Sequence, residues 1–276
     1  MPRRIRPLVL GLAVLLGLAV LISVAPLTGA QPSAATDAQA PPTIQIAAAS
    51  DLRFVLGEIA GMFEQDHRAR VLLTFGSSGQ LAAQIEQGAP FDLFFSADEA
   101  FVKRLAARGA VDRVSITPYA IGRIVVWVRR DSALDVRAGL RALLAPGVRF
   151  IAIANPQHAP YGAAAVEAMR RAVILGQVAR KLVYGENISE TLQFVQTGNA
   201  DVGVIALSLA VAPTIQPTGR FILIPASAHD PILQVAGITS RAAQPVLARA
   251  FLQTVISREG QALLRQSGFT IPRATP

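Results

Sequence analysis

One segment decides the fold of this chain: Leu72-Leu73-Thr74-Phe75-Gly76-Ser77-Ser78-Gly79-Gln80-Leu81. Its apolar beginning is typical of a strand, and the glycines and serines that follow are typical of a turn into a helix. An earlier segment has the same form, with small residues and a serine after an apolar run: Ile44-Gln45-Ile46-Ala47-Ala48-Ala49-Ser50-Asp51-Leu52. Each segment therefore predicts a strand that passes directly into a helix, with a serine at the junction.

Such junctions suit a negatively charged ligand. The first N–H groups of a helix lack partners within the helix, and the helix dipole places partial positive charge there. Small residues let a ligand approach the backbone, and a serine hydroxyl adds a donor. Two converging junctions predict a site for a small, fully ionised oxyanion that needs no arginine. Each junction also has a plainer interpretation: Ser50 as an ordinary helix cap, and Ser77 and Ser78 as part of a tight turn.

From residue 43 onward, strand and helix patterns alternate. Strands are predicted at 43–48, 71–75, 92–96, 124–128, 149–154, 181–184, 202–206, 221–225 and 233–238. Helices are predicted at 51–66, 79–87, 99–108, 139–144, 162–175, 189–197, 244–256 and 259–267. This alternation predicts an α/β architecture with parallel sheets, in which ligands bind at the carboxyl ends of the strands. Both serine junctions lie at such ends.

The amino-terminal region predicts export. Arg3, Arg4 and Arg6 precede the apolar run 8–24, and small residues suit cleavage near residue 30, so residues 1–30 are predicted to be a signal peptide. An uncleaved membrane anchor is the alternative, because the apolar run is long. Residues 31–42, which are rich in Ala, Pro, Gln and Ser, are predicted to be a disordered linker. The absence of cysteine excludes disulfides, thiol catalysis and a lipid anchor on cysteine.

Composition and motifs argue against several functions. The net charge of +8 comes from scattered Lys and Arg residues, and aromatic residues make up only 6%, so nucleic-acid binding is not expected. The three histidines lack metal-ligand spacing and are predicted to be surface or loop residues: His67, His158 and His229. No base or nucleophile accompanies the acids Asp51, Asp92 and Asp98, so acid–base catalysis is not expected. Asp51 is instead placed in the first turn of a helix, where the dipole favours an acid.

Two further loops also connect a strand to a helix. The first is Asn155-Pro156-Gln157-His158-Ala159-Pro160-Tyr161-Gly162, in which two prolines stiffen the chain and Tyr161 either packs or presents its hydroxyl to a ligand. The second is Gly185-Glu186-Asn187-Ile188-Ser189, whose functional atoms would be backbone N–H groups. Four loops of this kind are therefore candidates for one ligand site.

The four loops together resemble the periplasmic molybdate-binding proteins of ABC importers. The similarity extends from about residue 43 to residue 272, and its most specific part is the block 75–98 that begins Phe-Gly-Ser-Ser-Gly-Gln-Leu. The resemblance implies a type II periplasmic-binding-protein fold: two lobes, each a mostly parallel sheet flanked by helices, joined by two crossover strands that act as a hinge. It implies that residues 43–121 and 226–276 form one lobe and residues 122–225 the other.

The resemblance also implies the ligand-binding residues. Ser50 and Ser78 match the two serines that bind the anion, and Ile188 matches a residue that donates its backbone N–H. Tyr161 falls where the family contributes a backbone N–H from the second lobe, while Ser77 and Asn187 are secondary candidates. One position departs, because Ala206 stands where some members have a ligand-binding tyrosine; the Tyr161 hydroxyl is a hypothetical substitute.

The predicted function is therefore that of an extracytoplasmic binding protein without catalytic activity. It would carry molybdate, or tungstate, to the permease and ATPase of an ABC importer, as a periplasmic monomer without a cofactor or a protein-bound metal cation. The alternatives are a carrier of another oxyanion such as sulfate, and a sensory module with the same fold. A secreted hydrolase that uses Ser78 is a third alternative, although the sequence places no histidine base beside that serine.

Overall fold

The computed structural model of this protein describes residues 40–272. The predicted signal peptide and residues 31–39 of the predicted linker lie outside the described residues. The strands of the described part are β1 Thr43–Ala49, β2 Arg70–Gly76, β3 Leu93–Ser96, β4 Thr117–Gly122, β5 Ile124–Arg129, β6 Ile151–Ala154, β7 Leu182–Gly185, β8 Val202–Ala206, β9 Gly219–Leu223 and β10 Ile232–Ile238. The α-helices are α1 Arg53–His67, α2 Ser78–Glu86, α3 Glu99–Ala107, α4 Pro160–Arg171, α5 Leu175–Val178, α6 Ile188–Gln196, α7 Leu207–Ala210, α8 Pro245–Ile256 and α9 Arg258–Gln266.

Within residues 40–272, no helix combines the length and the apolar character that a membrane span needs.

The strands form two five-stranded sheets, which confirms the predicted two-lobed α/β fold. The first sheet has the order β2-β1-β3-β10-β4 and the second the order β7-β6-β8-β5-β9. In each sheet four strands run in the same direction, and one strand, β10 in the first sheet and β5 in the second, is antiparallel to both of its neighbours. Both sheets are therefore mixed rather than purely parallel. Each of these two strands directly follows a connection between the sheets: β4 leads into β5, and β9 leads into β10.

Both serine junctions lie at the carboxyl ends of adjacent parallel strands. The register pairs Ala49 at the end of β1 with Gly76 at the end of β2. Since parallel neighbours end at the same edge of a sheet, this pairing brings Ser50 and Ser78 to one edge. Helix α2 begins there directly, whereas a short 3₁₀ turn, Ser50–Leu52, precedes α1.

Three segments differ from their sequence-based predictions. Strand β4 was not anticipated, because Pro118 interrupts its pattern; β4 is the edge of the first sheet, where a proline costs no ladder bond. The helix predicted at 139–144 consists of 3₁₀ turns broken at Gly139, which has a φ of 61°. The helix predicted at 162–175 ends at Arg171, since Val173 adopts a φ of 57°.

Each sheet has a hydrophobic core of its own. Trp127 of β5 is fully buried in the core of the second sheet. In the first sheet, Phe251 of α8 packs edge-on against Phe63 of α1 and Phe95 of β3, with ring centroids 5.2 and 6.1 Å away. Helix α8 is among the last elements in sequence, and it completes the core of the lobe that β1 and α1 begin.

We expect Phe251→Ala to lower the free energy of unfolding by about 3–5 kcal/mol, because it leaves a cavity beside the rings of Phe63 and Phe95. Val114→Ala is the control, since Val114 is 87% exposed and should change stability by less than about 0.5 kcal/mol. Urea denaturation of both variants measures the difference. Equal stability of the two variants would show that α8 does not complete this core.

Candidate functional site

The structure brings the predicted ligand-binding residues together. Ser50, Ser78, Tyr161 and Ile188 all line one small cavity, and so does Ser77. The cavity is small: it holds about 190 Å³ of empty space, a volume that includes its opening to solvent. Its other lining residues are Ala49, Asp51, Gly76, Ala97, Ala159 and Pro160. No Lys, Arg or His is among the residues that line this cavity, and one side chain, Asp51, is acidic.

Three helices begin at the cavity. Ser78 is the first residue of α2, Tyr161 the second residue of α4, and Ile188 the first residue of α6. Their N–H groups belong to first turns, where helical partners are missing, so the positive ends of three helix dipoles face this region. Helix α2 follows strand β2 of the first sheet, whereas α4 and α6 follow strands β6 and β7 of the second sheet.

Ser77 and Ser78 have different local roles. Ser77 is the N-cap of α2, and its hydroxyl accepts a hydrogen bond from the backbone of Gln80 at 3.4 Å. Ser78 is fully buried, and its Oγ accepts from the backbone N–H of Ala97 at 2.9 Å. A hydroxyl both accepts and donates, so this bond holds Ser78 in place and leaves its proton for a ligand. The segment is therefore more than a tight turn.

Ser50 connects the first sheet to helix α6. Its hydroxyl donates to Asn187 Oδ1 at 3.1 Å, and its carbonyl accepts from the Ser189 hydroxyl at 3.0 Å. Asn187 is the N-cap of α6 and does not line the cavity; its Oδ1 also accepts from two backbone N–H groups of that helix. Ser50 does not cap α1, because Leu52 is the residue that precedes that helix. The capping interpretation of Ser50 is thus wrong, and the serine joins the two lobes.

The hydroxyl of Tyr161 has protein partners. It donates to Asp51 Oδ2 at 2.8 Å and accepts from Gln234 Nε2 at 3.0 Å. The proton of the hydroxyl is therefore already donated to Asp51. The Tyr161 hydroxyl does not replace the ligand-binding tyrosine that some family members have at the position of Ala206. Ala206 itself is fully buried at the end of β8 and does not line the cavity. The backbone N–H of Tyr161 lies in the first turn of α4, and its contact with a ligand stays a prediction.

Asp51 is a member of the site that sequence reasoning missed. Its side chain is buried, with 1% of its surface exposed, and its Oδ2 accepts from Tyr161 and from Gln234 Nε2, the latter at 2.5 Å. Oδ1 is also buried and has no hydrogen-bond partner among the described residues. Burial raises the pKa of Asp51 to about 6, against the lowering effect of these two hydrogen bonds and of the Asp51 backbone N–H. The available signal was that this acid directly follows a predicted anion-binding serine.

His158 lies in a loop beside the cavity and joins the two lobes. The prediction of a surface or loop residue did not anticipate these contacts. The Nδ1 of His158 lies 2.8 Å from Ser77 Oγ, and its carbonyl accepts from the N–H of Gly79 at 2.9 Å. Its Nε2 lies 3.6 Å from Glu186, which also accepts from Gln80 at 2.6 Å. The histidine thus contacts Ser77 rather than Ser78. Among residues 40–272, no cluster of His, Asp and Glu has the arrangement of a cation site.

The fold and the cavity define a protein that encloses a small solute between two lobes. The chain belongs to the family of bacterial extracellular solute-binding proteins, which matches residues 44–270. This family consists of binding proteins, which confirms the prediction of a binding protein rather than an enzyme.

Two molybdate-binding proteins are similar to this chain over most of its length. The chain is 34% identical to the molybdate-binding protein ModA of Rhodobacter capsulatus over 77% of its own length and 82% of that protein. The solved structure of the Azotobacter vinelandii periplasmic molybdate-binding protein matches with a TM-score of 0.79 and 30% identity, over 83% of this chain and all of that one. The sulfate-binding protein SubI of Mycobacterium tuberculosis matches with a TM-score of 0.70 at 17% identity, over 84% of this chain and 88% of that one; this likeness shows the fold alone.

Gly79 offers a test of the contact between the lobes. A Cβ at this position would lie 2.8 Å from both the Cβ and the carbonyl oxygen of His158, which belongs to the opposite lobe. We expect Gly79→Ala to hinder closure and to weaken ligand binding by about 1–3 kcal/mol, the usual scale of overpacking. Isothermal titration calorimetry with molybdate, the anion in the names of these relatives, measures this change in affinity.

The matched control is Gly57→Ala in α1, where a Cβ would meet no atom within 4 Å. The affinity of this control should equal that of the wild type. Neither variant should have a lower melting temperature than the wild type in the absence of ligand. Undiminished affinity of Gly79→Ala would mean that the lobes close less tightly around the ligand than in this structure.

Proposed function

We propose that this protein captures molybdate, or tungstate, outside the cytoplasm and delivers it to the permease and ATPase of an ABC importer. The observation that carries the proposal is the small cavity where three helices begin and three buried serines meet, without a cationic side chain in its lining. The molybdate-binding relatives, identical at 30–34% of positions over most of this chain, support the choice of anion.

The arrangement suits a fully ionised dianion. Hydrogen bonds from N–H and O–H groups to an ionised oxygen are short and about twice as strong as bonds between neutral groups. Backbone donors at helix starts are already oriented, so binding orders few side chains. The proposed contacts are the hydroxyls of Ser50 and Ser78 and the backbone N–H groups of Tyr161 and Ile188. Ser77 and Asn187 would support these contacts from their capping positions.

Capture would require the two lobes to open and close. We place the hinge where the chain passes between the sheets: at Arg123, and between β9 and β10. These two connections run side by side near β5, where the N–H of Ile224 donates to the carbonyl of Ile124 at 3.0 Å. The lobes would then comprise residues 43–121 with 226–276, and residues 122–225. The importer would recognise the closed form.

The remaining parts of the proposal concern location and assembly. Membership of a family of extracellular solute-binding proteins supports export of this protein. The predicted signal peptide at residues 1–30 would direct that export. The protein would act as a monomer in the periplasm, with no cofactor and no nucleic-acid partner.

A thermal-unfolding titration of residues 31–276 with molybdate, tungstate, sulfate and phosphate tests the choice of anion. Ligand at about 100 times its dissociation constant should add roughly 2.7 kcal/mol to the free energy of unfolding. We expect molybdate and tungstate to stabilise the protein and sulfate and phosphate to have no effect, since the size of the cavity would select the larger anions. Stabilisation by sulfate alone would replace the proposed substrate, and stabilisation by none of the four would refute an oxyanion carrier.

Ser78→Ala tests a named contact. The variant removes a hydroxyl that would donate to the anion, so molybdate affinity should fall by about 1.5–3 kcal/mol, the scale of a hydrogen bond to a charged group. Calorimetric titration measures the change, and Ser240→Ala, at an exposed serine of the same lobe, is the matched control that should bind as the wild type does. Equal affinity of both variants and the wild type would remove Ser78 from the site.

A further inference from the structure

An acid in an anion site needs an explanation. Asp51 lines the same cavity as the two serines, and its carboxyl group is buried. An ionised carboxylate there would face a dianion at close range in a site shielded from water, where like charges repel strongly. The Asp51 side chain must therefore be neutral when a dianion is bound, or the anion must itself carry a proton.

The hydrogen bonds around Asp51 indicate where its proton would be. The Gln234 side chain accepts from Tyr119 through Oε1 at 2.7 Å, so its Nε2 faces Asp51 and donates to Oδ2. The Tyr161 hydroxyl donates to the same oxygen. Because Oδ2 already accepts two hydrogen bonds, a proton on this carboxyl group belongs on Oδ1. Oδ1 is the oxygen without a partner among residues 40–272.

We propose that Asp51 becomes a carboxylic acid when the anion binds and donates the proton on Oδ1 to an oxygen of the bound oxyanion. The inference rests on the proposed function, and it deepens that function by coupling anion capture to the uptake of one proton. It also gives the unpartnered oxygen of Asp51 a role, since a buried polar atom without a hydrogen bond is costly.

The surroundings of Asp51 favour the neutral form. The titratable side chains that face it are Tyr119 from β4 and Tyr161 from α4, and burial holds the pKa of both well above the ordinary value, so neither carries charge. The other polar contacts are Gln234 from β10 and the Ser208 hydroxyl of α7, which donates to the Asp51 carbonyl at 2.8 Å. Among the described residues, no Lys, Arg or His forms a salt bridge with Asp51.

The direction of the pH dependence follows from these contacts. In the closed structure the pKa of Asp51 is raised from 3.8 to about 6, and a dianion beside it raises the pKa further. An acid whose pKa is higher in the bound state takes up a proton on binding, so affinity is greatest at low pH and falls as pH rises. Between the pKa of about 6 without an anion and the higher pKa with the anion bound, the association constant should fall by up to about tenfold per pH unit.

Calorimetry with molybdate measures the proton directly. Wild-type protein is titrated near pH 7, above the pKa of about 6 that Asp51 has without an anion, in two buffers of different ionisation enthalpy, and the difference in observed enthalpy gives the number of protons taken up. We expect about one proton per anion for the wild type and about none for Asp51→Asn. The amide of this variant can donate to the anion at every pH while its oxygen still accepts from Tyr161 and Gln234, so its affinity should vary little with pH.

Two further variants identify the group that takes up the proton. Asp66→Asn, at an exposed aspartate of α1, should behave as the wild type does. His158→Gln removes a titratable side chain that contacts Ser77 of the cavity, and this variant should retain the proton uptake. Uptake that persists in Asp51→Asn but is lost in His158→Gln would overturn the inference.

Other outcomes separate the inference from the proposed function. Molybdate binding without proton uptake by the wild type would overturn the role of Asp51 and leave the oxyanion carrier standing. Binding of phosphate by the wild type that is lost in Asp51→Asn would mean that an ionised Asp51 accepts a proton from a protonated anion, which also overturns the inference. A protein that binds none of the anions fails the proposed function and this inference together.

Discussion

The structure depends on one constraint: a buried, doubly charged anion must be surrounded by hydrogen-bond donors if no cation accompanies it. An isolated ion loses its hydration on burial, and that loss must be offset by donors fixed in place. Helix starts supply such donors because their first N–H groups have no partner in the helix. Three of them, at Ser78, Tyr161 and Ile188, meet at one cavity, and each follows a strand end. The two sheets are the frame that holds these helix starts in position.

The same polar groups also hold the lobes together. Ser50 and Asp51 from the first lobe bond to Asn187, Ser189 and Ser208 of the second. A bond between neutral groups contributes only about 0.5–1.5 kcal/mol, because water replaces it when the lobes separate. The Ser50 hydroxyl now donates to Asn187, and a bound anion would compete for that proton. Closure without an anion is therefore weakly favoured at best, and the charge-assisted bonds to the anion would decide the equilibrium.

Much of this was predictable from the sequence, because the signals are local. An apolar run, small residues, a serine and a helical pattern occupy about ten residues, and parallel pairing then brings Ser50 and Ser78 to one sheet edge. Strand β4 was missed because Pro118 disrupts its pattern, although proline is compatible with an edge strand. The contacts of His158 with Ser77, and of Asp51 with Tyr161 and Gln234, link residues far apart in sequence. No local pattern encodes such pairs, so they needed the structure.

The contacts of Tyr161 and Asp51 explain how the site can function with Ala206 at the position where some family members have a ligand-binding tyrosine. Loss of a tyrosine hydroxyl would leave a donor missing, yet Ala206 does not line the cavity, and the Tyr161 hydroxyl is directed at Asp51. The tyrosine therefore acts on the carboxyl group: together with Gln234 it occupies Oδ2, which leaves Oδ1 as the only oxygen of Asp51 that can donate. A neutral acid is a donor of the kind that the site requires, and an ionised one is the opposite. The composition of the donor set in this protein thus depends on the protonation of one buried residue.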